Sequence, residues 1–250
     1  MRFIKTGLAC AAVLLAVGAI DTSASVAAEG PFYKVKGARL NGNKTIGANI
    51  AAEYLFKVTV FGLEASVACK EMKVGVGSMI TGLNAKSSDI SKEIILLKMC
   101  TVTGNGGGCA VEGGEVATLS LINVLAYSEA ARKGEILVLF HPEVGKEIVN
   151  VKFVGVGCFI KEGKLEGNFA GEMLTKARQN ILVEGAQAEE MTGYIKFPVG
   201  GIKKVWIEAA GVEKEEPVAM TFAAAAATIK GESLVGNVNG TEELWSVYTK

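Results

Sequence analysis

Short runs in which apolar and polar residues alternate, separated by glycine-rich turns, dominate this chain. In one such run, Val205 and Ile207 fall on one side of an extended backbone and Trp206 falls on the other. A repeat of two residues is the period of a β-strand and not of an α-helix. The clearest runs cover 54–61, 94–102, 116–125, 135–140, 147–154, 191–197 and 202–209.

The order of these runs indicates the fold class. Turn clusters such as 41–43, 104–108 and 200–201 separate them, and no strand–helix–strand alternation is visible. This pattern predicts an all-β protein, an antiparallel Greek-key sandwich or barrel-like arrangement of many short strands. We expect a single β-rich domain over residues 29–250, with 128–134 as the point at which two halves would divide.

Two segments leave alternatives open. The run Ala223–Ala227 has the composition of a helix, because alanine is the best helix former, but its apolar flanks suit a small-residue strand equally well. Glycines alternate with valines in 74–77 and 154–157, which would leave one face of a strand bare. Bulges that let a sheet coil explain this better than a ligand groove does, and close approach of another backbone or a ring is expected there.

The first residues have the pattern of a secretory leader. Arg2 and Lys5 precede an apolar run, Gly7–Ile20, and small residues follow as far as Ala28. The run holds 14 residues, whereas a membrane-spanning helix needs about 20. We therefore predict a signal peptide over residues 1–28 that is cleaved near Ala28.

The charge of the mature chain bears on its partners. Cleavage would remove two of the 26 basic and one of the 26 acidic residues, which leaves a formal charge of −1. Nucleic-acid binding rests on clustered lysine and arginine, and no basic stripe is present. The sequence therefore predicts no nucleic-acid partner and no membrane span after signal cleavage.

Cleavage would also remove Cys10 and leave an even number of cysteines. Two disulfides are expected among Cys69, Cys100, Cys109 and Cys158. We favour the pairs Cys100–Cys109 and Cys69–Cys158, with Cys69–Cys100 and Cys109–Cys158 as the alternative. A zinc site is disfavoured because the spacings contain no C-x-x-C pair and the chain has one histidine.

Catalytic and cofactor signals are weak throughout the sequence. His141 precedes a proline and has no motif around it that would make it a catalytic base, so a surface or turn position is expected. Asp89 is the only aspartate after the leader, which disfavours calcium, and no phosphate-binding glycine motif is complete. We predict no metal and no cofactor. Adjacent glutamates, expected on solvated loops, occur at Glu189-Glu190, Glu215-Glu216 and Glu242-Glu243.

One pair of aromatic residues is a candidate binding surface. If the glycines at 200–201 close a hairpin, Tyr194 would lie opposite Trp206 on the polar side of the sheet. Such a pair could stack a sugar ring or contact a partner. A cross-strand pair that only stabilises the sheet, by roughly 0.2 to 1 kcal/mol, is the more common explanation.

The order of short motifs is similar to that of a known group. The features are Phe32–Gly42 at the mature start, a strand ending at Cys69, the pair Cys100 and Cys109, the segment Leu139–Gly145, and Cys158 before Gly167. In this order they resemble a family of uncharacterised secreted, four-cysteine, β-rich proteins from actinobacteria to which no activity is assigned. The resemblance implies secretion, the four-cysteine frame and the β fold.

These observations lead to one functional expectation. We expect a secreted, extracellular or cell-surface-associated β domain with a structural, adhesive or ligand-binding role and no catalytic site. A cell-wall glycan or another surface protein is the expected partner. The alternatives are a polysaccharide or cell-wall hydrolase that uses paired glutamates from different strands, and a carbohydrate-binding module that uses Tyr194 and Trp206.

Overall fold

A computed structural model describes residues 30–45, 47–60, 63–83, 87–175, 177–181, 192–198, 201–236 and 245–248. The predicted signal peptide lies outside the described residues. In chain order the first strands are β1 (Phe32–Val35), β2 (Ala38–Arg39), β3 (Gly42–Thr45), β4 (Gly47–Val60), β5 (Leu63–Val74), β6 (Met79–Gly82), β7 (Ile90–Glu93), β8 (Ile95–Thr103), β9 (Ala110–Val111) and β10 (Glu115–Ala117).

The later strands are β11 (Leu121–Glu129), β12 (Lys133–Pro142), β13 (Glu147–Val154), β14 (Glu162–Gly167), β15 (Phe169–Leu174), β16 (Thr192–Phe197), β17 (Lys204–Ala209), β18 (Val212–Pro217), β19 (Met220–Phe222), β20 (Ala225–Gly236) and β21 (Trp245–Tyr248). A single 3₁₀ turn, Glu112–Gly114, is the only helical element of the described residues. The strand pairings among them are antiparallel. The predicted all-β fold is confirmed.

Eighteen of these strands form one connected network, and β1, β2 and β21 form a separate three-stranded sheet. In the network, β3, β6, β7, β11, β12, β15, β16, β20, β4, β5 and β8 lie side by side in that order. The strand β20 is shared between two branches. Its second half pairs with β16, whereas its first half pairs with β19 and leads through β14 and β13 to β9.

The main core lies between these branches. Alternate residues of β11 and β12 point into it, among them Leu125, Tyr127 and Phe140. The ring of Phe140 stacks on that of Phe169 with centroids 4.7 Å apart. An apolar cavity of about 60 Å³ remains at the centre, lined by residues that include Val67, Ile95, Ile148, Leu165 and Phe169.

A second core explains why one run of β12 is apolar without alternation. The hairpin formed by β17 and β18 packs over the outer face of the β11–β12–β15 sheet. Leu137 and Leu139 therefore contact Val205 on this side, while Val138 and Phe140 point to the main core. A strand that is covered on both faces reads as a continuous hydrophobic segment.

Asp89 attaches the first strand to the rest of the fold. Its carboxylate accepts hydrogen bonds from the backbone amides of Tyr33, at 2.9 Å, and Leu83, at 2.7 Å. Its own amide donates to the carbonyl of Pro31, and its carbonyl accepts from Leu125 of β11. Asp89, which is fully buried, is thus one of the points at which the three-stranded sheet is fixed to the large one.

The segments for which the sequence allows more than one structure form turns and strand ends. Ala223 and Ala224 form the turn between β19 and β20, with φ of 47° and 65°, so the alanine run is a hairpin and not a helix. The predicted boundary at 128–134 is the tight turn between β11 and β12. The valine–glycine segments are strand ends followed by turns, at 74–77 and 154–157.

The favoured disulfide pairing is wrong, and the alternative is the one formed. Cys69 of β5 bonds to Cys100 of β8, and Cys109 bonds to Cys158. The physical reason is strand register, because Cys69 and Cys100 are direct cross-strand neighbours in the β5–β8 pair. Cys109 then lies across from the loop that carries Cys158.

Candidate functional site

Two loops meet at one end of the sheets and are joined by the Cys109–Cys158 disulfide. One comprises residues 104–109, which follow β8, and the other comprises residues 154–160, which lead from β13 towards β14. We call these two loops together the tip. Their sequences supply a glycine-rich stretch on one side and a glycine–valine–glycine turn on the other.

The two loops of the tip touch backbone to backbone at their glycines. A Cβ built on Gly106 would lie 1.9 Å from the carbonyl oxygen of Gly157, and one on Gly155 would lie 2.3 Å from that of Gly108. No side chain fits into such a gap. The expected close approach of another backbone at the second valine–glycine segment is therefore confirmed.

Asn105 holds the two loops together from the inside. Its side chain, which is 1% exposed, donates to the carbonyl of Ile160 at 2.9 Å and accepts from the amide of Ile160 at 2.7 Å. Its amide nitrogen also lies 3.2 Å from the sulfur of Cys109. The backbone carbonyl of Asn105 accepts from the amide of Phe159 at 3.1 Å.

The outer surface of the tip is apolar. Val154, Val156 and Phe159 are exposed to 46%, 106% and 70%. The ammonium of Lys161 donates to the carbonyl of Gly155 at 2.7 Å and therefore lies against the same loop. Three exposed hydrophobic side chains thus occupy one short, covalently fixed segment.

A similar turn lies at the opposite end of β8. Val76, flanked by Gly75 and Gly77, is 105% exposed. This turn has no disulfide of its own, and it lies beside the start of β8, because the amide of Gly75 donates to the carbonyl of Ile94. Val76 is therefore a matched counterpart of Val156 that lies away from the tip.

A series of hydrogen-bonded polar side chains from β1, β7 and β11 is buried in the protein. Asn123 of β11 donates to Glu93 and, at 3.0 Å, to Ser91. The hydroxyl of Tyr33 is hydrogen bonded to Ser91 as well. Burial raises the pKa of Glu93 to about 7, and the hydrogen bond from Asn123 acts in the opposite direction.

Burial also raises the pKa values of two further groups, the carboxyl of Asp89 and the phenol of Tyr33. Desolvation raises the pKa of Asp89 above its ordinary value, against the amide hydrogen bonds from Leu83 and Tyr33 and the charge of Arg39. The pKa of the Tyr33 phenol is raised as well, first by burial and then by the charges of Asp89 and Glu93. These groups face the core and each other.

The predicted opposition of Tyr194 and Trp206 is wrong. Both neighbours of β16 are other strands, so Tyr194 lies opposite Leu174 of β15 and Leu234 of β20. Trp206 lies opposite Glu215 of β18, and a single pairing joins it to Tyr127 of β11. The hairpin on which the prediction rested does not form, because β17 folds over the outside of the sheet.

Each of these two aromatic rings lies against a different basic side chain. The guanidinium of Arg178 lies 4.8 Å from the centroid of Tyr194, and the ammonium of Lys204 lies 4.5 Å from that of Trp206. Both aromatic residues are partly buried. The structure therefore does not bring them together as one stacking platform.

The remaining candidates lie apart. His141 is a partly buried residue of β12, and its Nδ1 is 3.1 Å from the carbonyl oxygen of Pro142. Of the glutamate pairs, Glu215 and Glu216 are on β18 and contact Lys204 and Lys214. The pairs at 189–190 and 242–243 lie outside the described residues.

Within the part of the chain that the structure describes, no three histidine, cysteine, aspartate or glutamate residues are grouped so that they could hold a metal ion. None of the helices in that part has the length and apolar character needed to cross a membrane. Comparisons of the chain with family models, curated proteins and solved structures found no match.

The sequence alone does not indicate the roles of Asn105, Asp89 and Glu93. The signal for Asn105 is weak, because this residue only stands within a glycine run that precedes a cysteine. Asp89 is conspicuous only as a rare residue type. Glu93 carries no sequence signal, since its burial depends on which strand covers β7.

Proposed function

We propose that this chain is an exported β domain that works by binding a surface outside the cytoplasm through its tip. The observation that carries the proposal is the exposure of Val154, Val156 and Phe159 on a loop fixed by a disulfide. Single exposed hydrophobic residues are ordinary, but a cluster of them on a shaped loop is typical of an interaction site. The two disulfides support an oxidising compartment.

The rigidity of the tip supports binding over a purely structural role. A loop that is already ordered loses little conformational entropy when it meets a partner. In this loop, the order comes from Asn105, the glycine contacts and the Cys109–Cys158 bond. The predicted leader over residues 1–28 is the route by which the chain would reach that partner.

The proposal is tested with the oxidised, exported protein and envelopes of the cells that make it. The wild-type protein should sediment with the envelopes, whereas the double variant Val156→Ser/Phe159→Ser should stay in the supernatant. The control Val76→Ser, equally exposed at the other end of β8, should sediment like the wild type. A wild-type protein that stays in solution, or a double variant that sediments equally well, would refute the proposal.

The export of the chain is tested by a separate measurement. N-terminal sequencing of the protein recovered outside the cells should find Glu29 as the first residue. Recovery of the chain only from the cytoplasm, with its cysteines reduced, would contradict the proposal.

A further inference from the structure

We infer that the surface bound by the tip is an anionic phospholipid bilayer, with Val156 and Phe159 entering the boundary between headgroups and acyl chains. This inference rests on the proposed function and names its partner.

The shape of the tip suits a fluid surface. Val156 is fully exposed, and the flanking glycines carry no side chains that could shield it. A Cβ built on Gly107 or Gly108 would meet no atom within 4 Å. The tip therefore presents Val156 with no side chains from these glycines around it. A projecting apolar group fits a deformable lipid interface, whereas a protein partner would need a matching pocket.

The chemistry of the tip has the two components of interfacial binding. Burial of apolar side chains supplies most of the attraction, and lysines near the surface add to it when the lipids are anionic. Phe159 and Val156 provide the first component. Lys161 provides the second, because its hydrogen bond to Gly155 places the ammonium beside the inserted residues. Glu162, the next residue, lies beside Asn150, which donates a hydrogen bond to its carboxylate.

Because the tip is rigid, a short loop is sufficient for binding to the bilayer. The disulfide and the Asn105 bonds hold Phe159 and Ile160 in place before any contact with lipid. Ordering the backbone of the loop then costs little further free energy on binding. The tip is ordered before it meets the membrane, in contrast to an amphipathic helix that folds on the membrane surface.

The test is co-sedimentation of the oxidised full-length mature protein with vesicles of equimolar phosphatidylcholine and phosphatidylglycerol. The variant Val156→Ser/Phe159→Ser should bind at least about tenfold more weakly than the wild type, since two buried side chains are lost. Val76→Ser should bind like the wild type. Thermal unfolding of each variant, with a midpoint close to that of the wild type, shows that the fold is kept. Vesicles of phosphatidylcholine alone should bind the wild type more weakly, because Lys161 then lacks an anionic partner.

A second measurement places the tip in the lipid. Phe159→Trp should show a blue shift of the new fluorescence when anionic vesicles are added, and brominated acyl chains should quench it. No binding of the wild type to vesicles, equal binding of the double variant, or an equal loss in Val76→Ser would overturn the inference. If the wild type sediments with envelopes but not with vesicles, lipid is the wrong partner while the proposed function stands. If it sediments with neither, both fail.

Discussion

The carboxylate of Asp89 accepts a hydrogen bond of 2.9 Å from the backbone amide of Tyr33, 56 residues away in the sequence. The same carboxylate accepts from the amide of Leu83. Asp89 is completely buried, and so is the bond to Tyr33, whereas Leu83 is partly exposed. This side chain therefore helps to hold the N-terminal strand on the body of the protein, together with the packing of Tyr33 and Val247 in the main core.

We expect Asp89→Ala to lower the free energy of unfolding by about 3 kcal/mol, because the buried amide of Tyr33 and the part-buried amide of Leu83 lose their acceptor. Asp89→Asn should lose about half as much, since its amide oxygen can still serve one of the two donors. Denaturation in urea, followed by tryptophan fluorescence, measures both. If both variants are as stable as the wild type, the attachment of β1 does not depend on this carboxylate.

The pKa of Glu93 predicts a pH dependence of stability. The folded-state pKa is about 7, whereas the ordinary value is 4.5. Between these values the folded state holds more protons than the unfolded state, so the free energy of unfolding falls as pH rises through this window. The total change from Glu93 is about 3 kcal/mol, and the curve levels above the folded pKa.

Glu93→Gln is the variant that isolates this effect. Glutamine keeps the oxygen that accepts from Asn123 but cannot ionise. Urea denaturation at a series of pH values should give a wild-type stability that falls relative to the variant from about pH 4.5 to about pH 7. Asp89 is present in both proteins and cancels in the comparison. A difference that does not change with pH would show that Glu93 does not titrate in this window.

The local part of the fold could be predicted from the sequence. Each run with a period of two overlaps an observed strand, because alternation reports only on the two faces of one strand. The sequence predicts one strand over 116–125, whereas residues 118–120 separate β10 from β11. The amide of Thr118 still bonds to Ile95 in register with the β10–β8 pairs, and the change of partner comes at Leu119, whose amide donates to Ile148.

Pairing between distant strands could not be predicted in this way. Cys69 meets Cys100 only because β5 lies beside β8, although β6 and β7 come between them in the chain. The sequence predicts one hairpin for Tyr194 and Trp206 because their runs are consecutive, yet β16 and β17 lie in different layers. It does not predict the tip for the same reason, since the tip joins two loops about fifty residues apart.

Arg132, in the turn between β11 and β12, forms an ion pair with Glu208 of β17 whose loss should destabilise the fold. The guanidinium makes two hydrogen bonds to the carboxylate, at 2.8 and 3.0 Å, and Glu208 is 2% exposed. Arg132→Ala would leave this charge buried without its partner, and we expect a loss of about 2 to 3 kcal/mol.

Lys57→Ala is the matched control, because Lys57 pairs with Glu64 at 2.7 Å where both side chains are exposed. Its loss should cost less than about 1 kcal/mol. Thermal unfolding of both variants gives the comparison. Equal effects would mean that burial of Glu208 contributes nothing to the strength of its pair.

Asn105 offers the sharpest test of how the tip is built. Asn105→Ala removes two hydrogen bonds to Ile160 and leaves the amide and the carbonyl of this part-buried residue without these partners. We expect a loss of about 2 to 3 kcal/mol in the free energy of unfolding, measured with the disulfides intact.

Asn150→Ala is the control, since that side chain bonds to Glu162 at the exposed surface. It should change stability by less than about 0.5 kcal/mol. Hydrogen exchange adds a local readout, because the amide of Ile160 should lose its protection in Asn105→Ala and keep it in Asn150→Ala. Unchanged protection at Ile160 would show that the glycine contacts and the disulfide hold the loops without this side chain.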